Sequence, residues 1–175
     1  MEAALQRVVD EAAIKDVHLR YCRGIDRMDW DLVRSAYHPE AVDDHGPFKG
    51  SVEEFIDWVS ALLTKGFQTW THFAGQQMVR IEGDRALMES YARAYHRTRP
   101  DADGKVADWI LNLRYVDVLE RREGDWRIID RVLSCDSEIT IPVDPEYPAV
   151  LGPDWHRGSA DTSDLSYTRA EALVH

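Results

Sequence analysis

The chain has 175 residues, 44% of them apolar, including six Trp, seven Tyr and four Phe, enough for one domain with a packed core. Thirty-two acidic against 21 basic side chains leave a formal net charge of −11, which repels phosphate backbones and anionic lipid, so no nucleic-acid partner is expected. No stretch approaches the roughly 18 apolar residues of a membrane helix, and the opening MEAALQRVVDEAAIKDV lacks the basic-then-apolar order of a secretory signal, so the expected location is cytoplasmic, without membrane attachment.

Ile14, Val17, Tyr21 and Ile25 recur at three- and four-residue spacing and predict a helix over the first 25 residues, with Gly24 as its terminator. WDLVRSAY (30–37) predicts a short second helix, with Asp29 as N-cap and Pro39 just beyond its end. Residues 41–44 read as a brief strand and Gly46-Pro47 as the start of a loop. Ser51 followed by Glu54 is a capping box; it opens a third helix with the stripe Phe55, Trp58, Val59 and Leu62, ended by Gly66. From Gln68 the pattern changes to four long strands, 70–81, 85–98, 105–120 and 126–141, separated by turn-rich EGD, PDADG and REGD. Helices first and an antiparallel sheet afterwards is an α+β order, with the helices laid on one face of a curved sheet. One domain is expected over residues 1–140. The tail, 141–175, holds four of the seven prolines and is expected to wrap its own surface or a neighbouring subunit. Cys22 and Cys135 are too few for a disulfide framework and read as reduced core thiols.

Strand alternation puts His72 on a face with Trp70, Ala74, Gln76 and Met78, a mixed apolar and polar wall. A histidine there is either a general base working near neutral pH or a core imidazole satisfied by a backbone carbonyl. His96 shares a face with Ser90, Ala92 and Ala94, and the room beside such small residues is filled by a ligand or by a helix. Of Asp26, Asp29 and Asp31, Asp26 follows the apolar Ile25 and is directed inward, where a buried carboxylate needs a partner that a histidine readily supplies. Arg131 is read on the face of Ile129 and Leu133, from which it either snorkels outward or reaches a pocket to bind an anion or leaving group. Tyr21 can donate a hydrogen bond from the first helix and His45 can reach a pocket rim; each also has a plain structural reading. GxGxxG, GxxxxGK[ST], GxSxG and HExxH are missing, and His18, His38, His45, His72 and His96 give no i,i+4 pair on one helix, so neither a metal nor an organic cofactor is expected.

The runs YCRGIDRMDWDLVRSAYHPEAVDDHG, THFAG, AYHRT and GDWRIIDR, spread over about residues 8–140, resemble the SnoaL-like branch of the nuclear transport factor 2-like superfamily. The chain is similar there to scytalone dehydratase, hexachlorocyclohexane dehydrochlorinase and bile-acid 7α-dehydratase, which are cofactor-free eliminating enzymes. The resemblance implies a cone: a bent sheet around a deep pocket that N-terminal helices close. It also implies that Asp26 is the pocket aspartate, His72 the base, Tyr21 a catalytic tyrosine, His96 a second pocket histidine and Arg131 a pocket arginine, with His45 near a further pocket position. His45, Phe55, Trp70, Trp109 and Leu111 are expected to contact substrate. The function implied is a lyase or isomerase acting on a hydrophobic cyclic molecule such as a steroid, polyketide or terpenoid. The alternatives are a non-catalytic binding or assembly module of the same fold and a polyketide-type cyclase. Uncovered faces of a cone sheet predict a homodimer or homotrimer.

Overall fold

In the computed structural model, which describes residues 1–144, 152 and 154–170, the helix α1 (Glu2–Arg27) buries Ile14, Val17, His18, Tyr21, Cys22 and Ile25 on one stripe. Two indoles fix its ends: Trp126 donates Nε1–H to Asp10 Oδ1 at 3.0 Å, and Trp70 donates to the Ile25 carbonyl at 3.1 Å. The helix does not stop at Gly24. It runs on to Met28, whose left-handed backbone (φ 51°) forms the cap. Gly24 serves packing instead: a Cβ there would stand 2.6 Å from Val33 Cγ2 and 2.9 Å from the Val33 nitrogen, so only glycine lets α2 (Trp30–Ser35) lie this close. Asp29 caps α2 through the Leu32 N–H at 3.0 Å.

The next strand, β1 (Tyr37–Asp44), starts earlier than expected and carries Pro39 inside it. The missing N–H is tolerated because the ladder to the neighbouring strand is irregular between Tyr37 and Val42. A short β2 (Lys49–Ser51), absent from the sequence reading, leads into α3 (Val52–Gly66), where the Ser51/Glu54 capping box forms as read. Then follow β3 (Phe67–Glu82), β4 (Arg85–Thr98), β5 (Ala107–Arg122) and β6 (Asp125–Pro142). Glu123 and Gly124, both at positive φ (52° and 87°), turn β5 into β6, the backbone that suits a two-residue hairpin.

The six strands make one curved sheet in the order β2-β1-β6-β5-β4-β3. All neighbours are antiparallel except β1 and β6, which run parallel, so the sheet is mixed. Its inner face carries Ala86, Met88, Ser90, Ala92, Ala94 and His96 of β4, all buried, and the helices pack over it. Bulges decide what else faces inward. A register shift between Ala74 and Gln77 leaves Trp70, His72 and Ala74 inside but sends Gln76 and Met78 out, Met78 being 67% exposed. That corrects the expected face for those two residues. A second shift leaves Ile129 without a partner, since Val118 pairs with Asp130 and Leu119 with Ile128. Arg131 therefore faces inward with Ile128 and not with Ile129.

The last described segment folds back on the end of α1. Arg27 pairs with Asp164 at 3.5 Å and donates to the Ser159 carbonyl at 3.1 Å, while the Tyr167 hydroxyl donates to Asp29 at 2.8 Å. A four-residue helix, α4 (Leu165–Thr168), lies within it. The remainder of the expected wrapping tail, 145–151, 153 and 171–175, lies outside the described residues. Cys22 is buried and Cys135 exposed, both free, so only the first is a core thiol. Among the described residues no helix is long and apolar enough to cross a membrane.

Candidate active site

Asp26 sits in the last turn of α1, where the helix dipole disfavours an anion, and it is buried. Donors from β3 compensate. Both carboxylate oxygens accept the His72 backbone N–H at 3.0 Å, Thr71 Oγ1 donates at 3.3 Å, and His72 Nδ1 lies 2.8 Å from Asp26 Oδ1. An ionised carboxylate only accepts, so neutral His72 carries its proton on Nδ1 and keeps the Nε2 lone pair free. No described residue bonds to that Nε2.

The ladder sets what surrounds the imidazole. His72 pairs with Ala94 and Ala94 with Leu111; one row away, Trp70 pairs with His96 and His96 with Trp109. The His72 and His96 rings meet edge-on at 6.2 Å, and Phe67 and Trp109 pack on His96 at 4.7 and 5.5 Å. Asp26, His72, His96, Trp70, Trp109 and Leu111 are thus brought together. A cavity of about 520 Å³ borders Asp26 and Trp70 of this group and is lined otherwise by Arg27, residues 68, 69 and 71, and residues 157–160 of the returning tail; His72, His96, Trp109 and Leu111 do not line it.

Two buried imidazoles near His72 stay neutral. Burial, then the neighbouring His72 imidazole, pushes His96 down to about 4, and burial, then Arg131 and His72, pushes His18 down to about 3. The Nδ1 atom of each has no hydrogen-bond partner among the described residues. Neither can serve as an imidazolium acid near neutral pH.

The other expected residues gather deeper. Arg131 is wholly buried; its Nε and Nη2 each donate to Asp117 at 2.7 Å and its Nη1 donates to the Tyr37 hydroxyl at 3.0 Å. That geometry corrects the picture of an arginine reaching out to a leaving group: the guanidinium is spent on Asp117 and Tyr37, with its carbon 4.1 Å from the centre of the Tyr21 ring. Tyr37 in turn donates to Asp43 at 2.7 Å, Asp43 holds His45 Nδ1, and His45 Nε2 lies 3.2 Å from the Tyr21 hydroxyl. Phe55, expected at the substrate, is fully buried and stacks on His45 at 4.7 Å, so it backs the imidazole.

Sequence reasoning missed Asp43, Asp117, Tyr37, Tyr115 and His18. Alternation was the available signal for two of them: Asp43 falls on the face of Ala41 and His45, and Asp117 interrupts the inward series Leu113, Tyr115, Leu119. Among the described residues no group of three or more His, Cys, Asp or Glu side chains is arranged to hold a metal ion.

An open curved sheet with N-terminal helices over its inner face and a buried Asp–His pair between them defines an α+β protein of the cystatin-like architecture. The SnoaL-like domain model matches residues 6–132, and the chain belongs to that family. Solved structures agree on the fold. A hexachlorocyclohexane dehydrochlorinase from Novosphingobium barchaimii superposes with a TM-score of 0.71 at 16% identity, covering 86% of this chain and 99% of that one. A candidate scytalone dehydratase from Novosphingobium aromaticivorans gives 0.66 at 16%, covering 89% and 93%. A cystatin-like protein of unknown function from Nostoc punctiforme gives 0.60 at 20%, covering 73% and 92%. No curated protein sequence matches the chain.

Proposed function

We propose that the protein is a lyase or isomerase that works without a cofactor, eliminating water or a comparable leaving group from a hydrophobic cyclic molecule, with His72 as general base and Asp26 as its orienting carboxylate. The observation that carries this reading is the 2.8 Å contact between His72 Nδ1 and Asp26 Oδ1, with Nε2 left free. An elimination needs a base aimed at a C–H bond and held there in one tautomer. Asp26 supplies the tautomer and stabilises the imidazolium formed when Nε2 takes the proton, as the carboxylate does in a catalytic triad. Trp70, Trp109 and Leu111 offer apolar contact to a ring system, and neutral His96 offers a hydrogen bond to a substrate oxygen. The names of two structural relatives, a dehydrochlorinase and a candidate dehydratase, favour the same class of chemistry.

The test is a panel of steroids, polyketide phenols, terpenoid alcohols and hexachlorocyclohexane, screened by thermal stabilisation with mass analysis of every hit. Wild type should release an alkene-containing or rearranged product, and His72→Ala should slow it by about 10² to 10⁴-fold. Asp26→Asn should act similarly, because an amide donating to Nδ1 forces the proton onto Nε2 and removes the base. Binding without turnover, equal in all three proteins, would instead support a non-catalytic binding module.

A further inference from the structure

The cavity beside Asp26 lies between the end of α1, the start of β3 and the returning tail, and its lining carries two guanidinium groups, Arg27 and Arg157, against the single carboxylate of Asp26. In a chain of formal net charge −11, an excess of positive charge around a concave space attracts small anions that the rest of the surface repels. From this we infer that the cavity binds a small organic acid, with a carboxylate or phosphate-ester head on Arg27 and Arg157 and an apolar body against Trp70. The site does not depend on the elimination proposed above.

Arg27 is the last residue of α1, where the helix dipole favours a cation, and its side chain keeps 26% exposure. Its donors are only partly used. Nη1 donates to two neutral acceptors, the Ser159 carbonyl at 3.1 Å and the Asp26 carbonyl at 3.3 Å, and the Asp164 carboxylate stands 3.5 Å from Nε. Asp164 itself is held by the Ser166 hydroxyl and by the Ser166 and Ser159 N–H groups, so it neutralises the guanidinium loosely. Nη2 has no hydrogen-bond partner among the described residues. A Cβ on Gly158, which lines the cavity, would stand 3.8 Å from that nitrogen. The open edge of the guanidinium fork, the part that matches a carboxylate or phosphate, is therefore at the cavity wall.

The rest of the lining suits such a ligand. The Asp26 oxygens already accept from the His72 and Thr71 donors of β3, which weakens their repulsion of a neighbouring anion. Trp70 commits its indole N–H to the Ile25 carbonyl, so what it offers the cavity is ring carbon. Thr69 and Gln68 add uncharged polar groups at the rim. A volume of about 520 Å³ is within the range of small-molecule sites, larger than an inorganic ion needs.

The experiment titrates the full chain with benzoate, phenyl phosphate, neutral benzamide and inorganic phosphate, read by calorimetry and by backbone amide shifts. Benzoate or phenyl phosphate should bind about tenfold or more tighter than benzamide, more weakly as salt is raised, and should move the amides of residues 26–27, 68–71 and 157–160. Whichever of the two anions binds more tightly names the head group. Arg157→Gln, a change at an exposed residue, should weaken that anion about tenfold and leave benzamide unchanged. Arg27→Gln should do the same; because it also loosens the tail, Arg157→Gln is the deciding variant. Benzamide binding as well as the anions, anion affinity unchanged in Arg157→Gln, or no binding of either organic anion would overturn the site. Inorganic phosphate binding as tightly as phenyl phosphate would overturn the organic body. A panel without turnover leaves this site standing, and loss of anion binding leaves His72 as the base.

Discussion

At the Asp26 end of the interior the carboxylate retains 11% side-chain exposure and borders a cavity of about 520 Å³, whereas Asp43, Asp117 and Arg131 at the other end have no exposure at all. Both regions bury charge, yet they satisfy it differently. Asp26 is neutralised mainly by neutral donors, a backbone N–H, a hydroxyl and an imidazole, and its histidine keeps a free nitrogen. Asp117 has a bidentate guanidinium, which leaves nothing over for a ligand. A buried polar group with spare capacity is equipped for chemistry; one whose capacity is used up serves to hold the fold.

The sharpest way to break that contrast is at Asp117. Replacing it by Ala strands the Arg131 charge and should cost about 3–5 kcal/mol in urea unfolding, while Asp117→Leu combined with Arg131→Met should cost far less. A cost for Asp117→Ala no larger than that of a surface change would mean that the cluster is wet and the contrast false.

Acid should act first through two buried histidines, His96 beside the dyad and His18 against Tyr115. His96 and His18 are held down to about 4 and about 3 by burial, while in the unfolded chain a histidine titrates near 6.5. Between those values the unfolded state binds more protons than the native one. The stability contributed is therefore complete above about pH 6.5 and is lost as pH falls towards 4 and then 3, by on the order of a few kcal/mol in all. Melting temperatures between pH 7 and pH 4 should follow this, and His96→Phe should flatten the upper part of the curve.

Asp26→Asn should separate stability from chemistry. Its amide can still accept the His72 backbone N–H, so the expected loss of stability is only about 1–2 kcal/mol, far below that of Asp117→Ala, although turnover falls by about 10²-fold or more. Equal losses of stability at the two aspartates would erase the distinction between the ends. The smallest effect belongs to the tail. Asp164 accepts from the Ser166 hydroxyl and from the Ser166 and Ser159 N–H groups and pairs with the partly exposed Arg27; the hydroxyl first, then those N–H bonds, hold its carboxyl well below the usual carboxylate range. Asp164→Ala should cost about 1 kcal/mol or less and raise the rate of proteolysis around residues 157–160, beside the cavity, without touching the Asp117 cluster.

Much of this was legible in the chain itself. The α1 stripe, the Asp29 cap, the Ser51/Glu54 box, the hairpin turns and the α+β order all follow from interactions within a few residues, and so do the inward Asp26 and the small residues beside His96. Local periodicity could not report the contact between Asp26 and His72, 46 residues apart; the sequence offered each as a candidate, and only the packing of α1 on β3 joined them. The same limit explains Gln76, Met78 and Arg131. Side chains alternate strictly along a strand, so one extra residue in a bulge reverses every face beyond it. Whether a bulge forms at Gly75 or at Ile129 is settled by the neighbouring strands and the helices above them. The sequence by itself therefore determined the elements, their order and the reactive residue types. Which of those residues meet, and whether Arg131 faces a substrate or Asp117, was decided by tertiary structure, because pairing register and burial are properties of two or more elements at once.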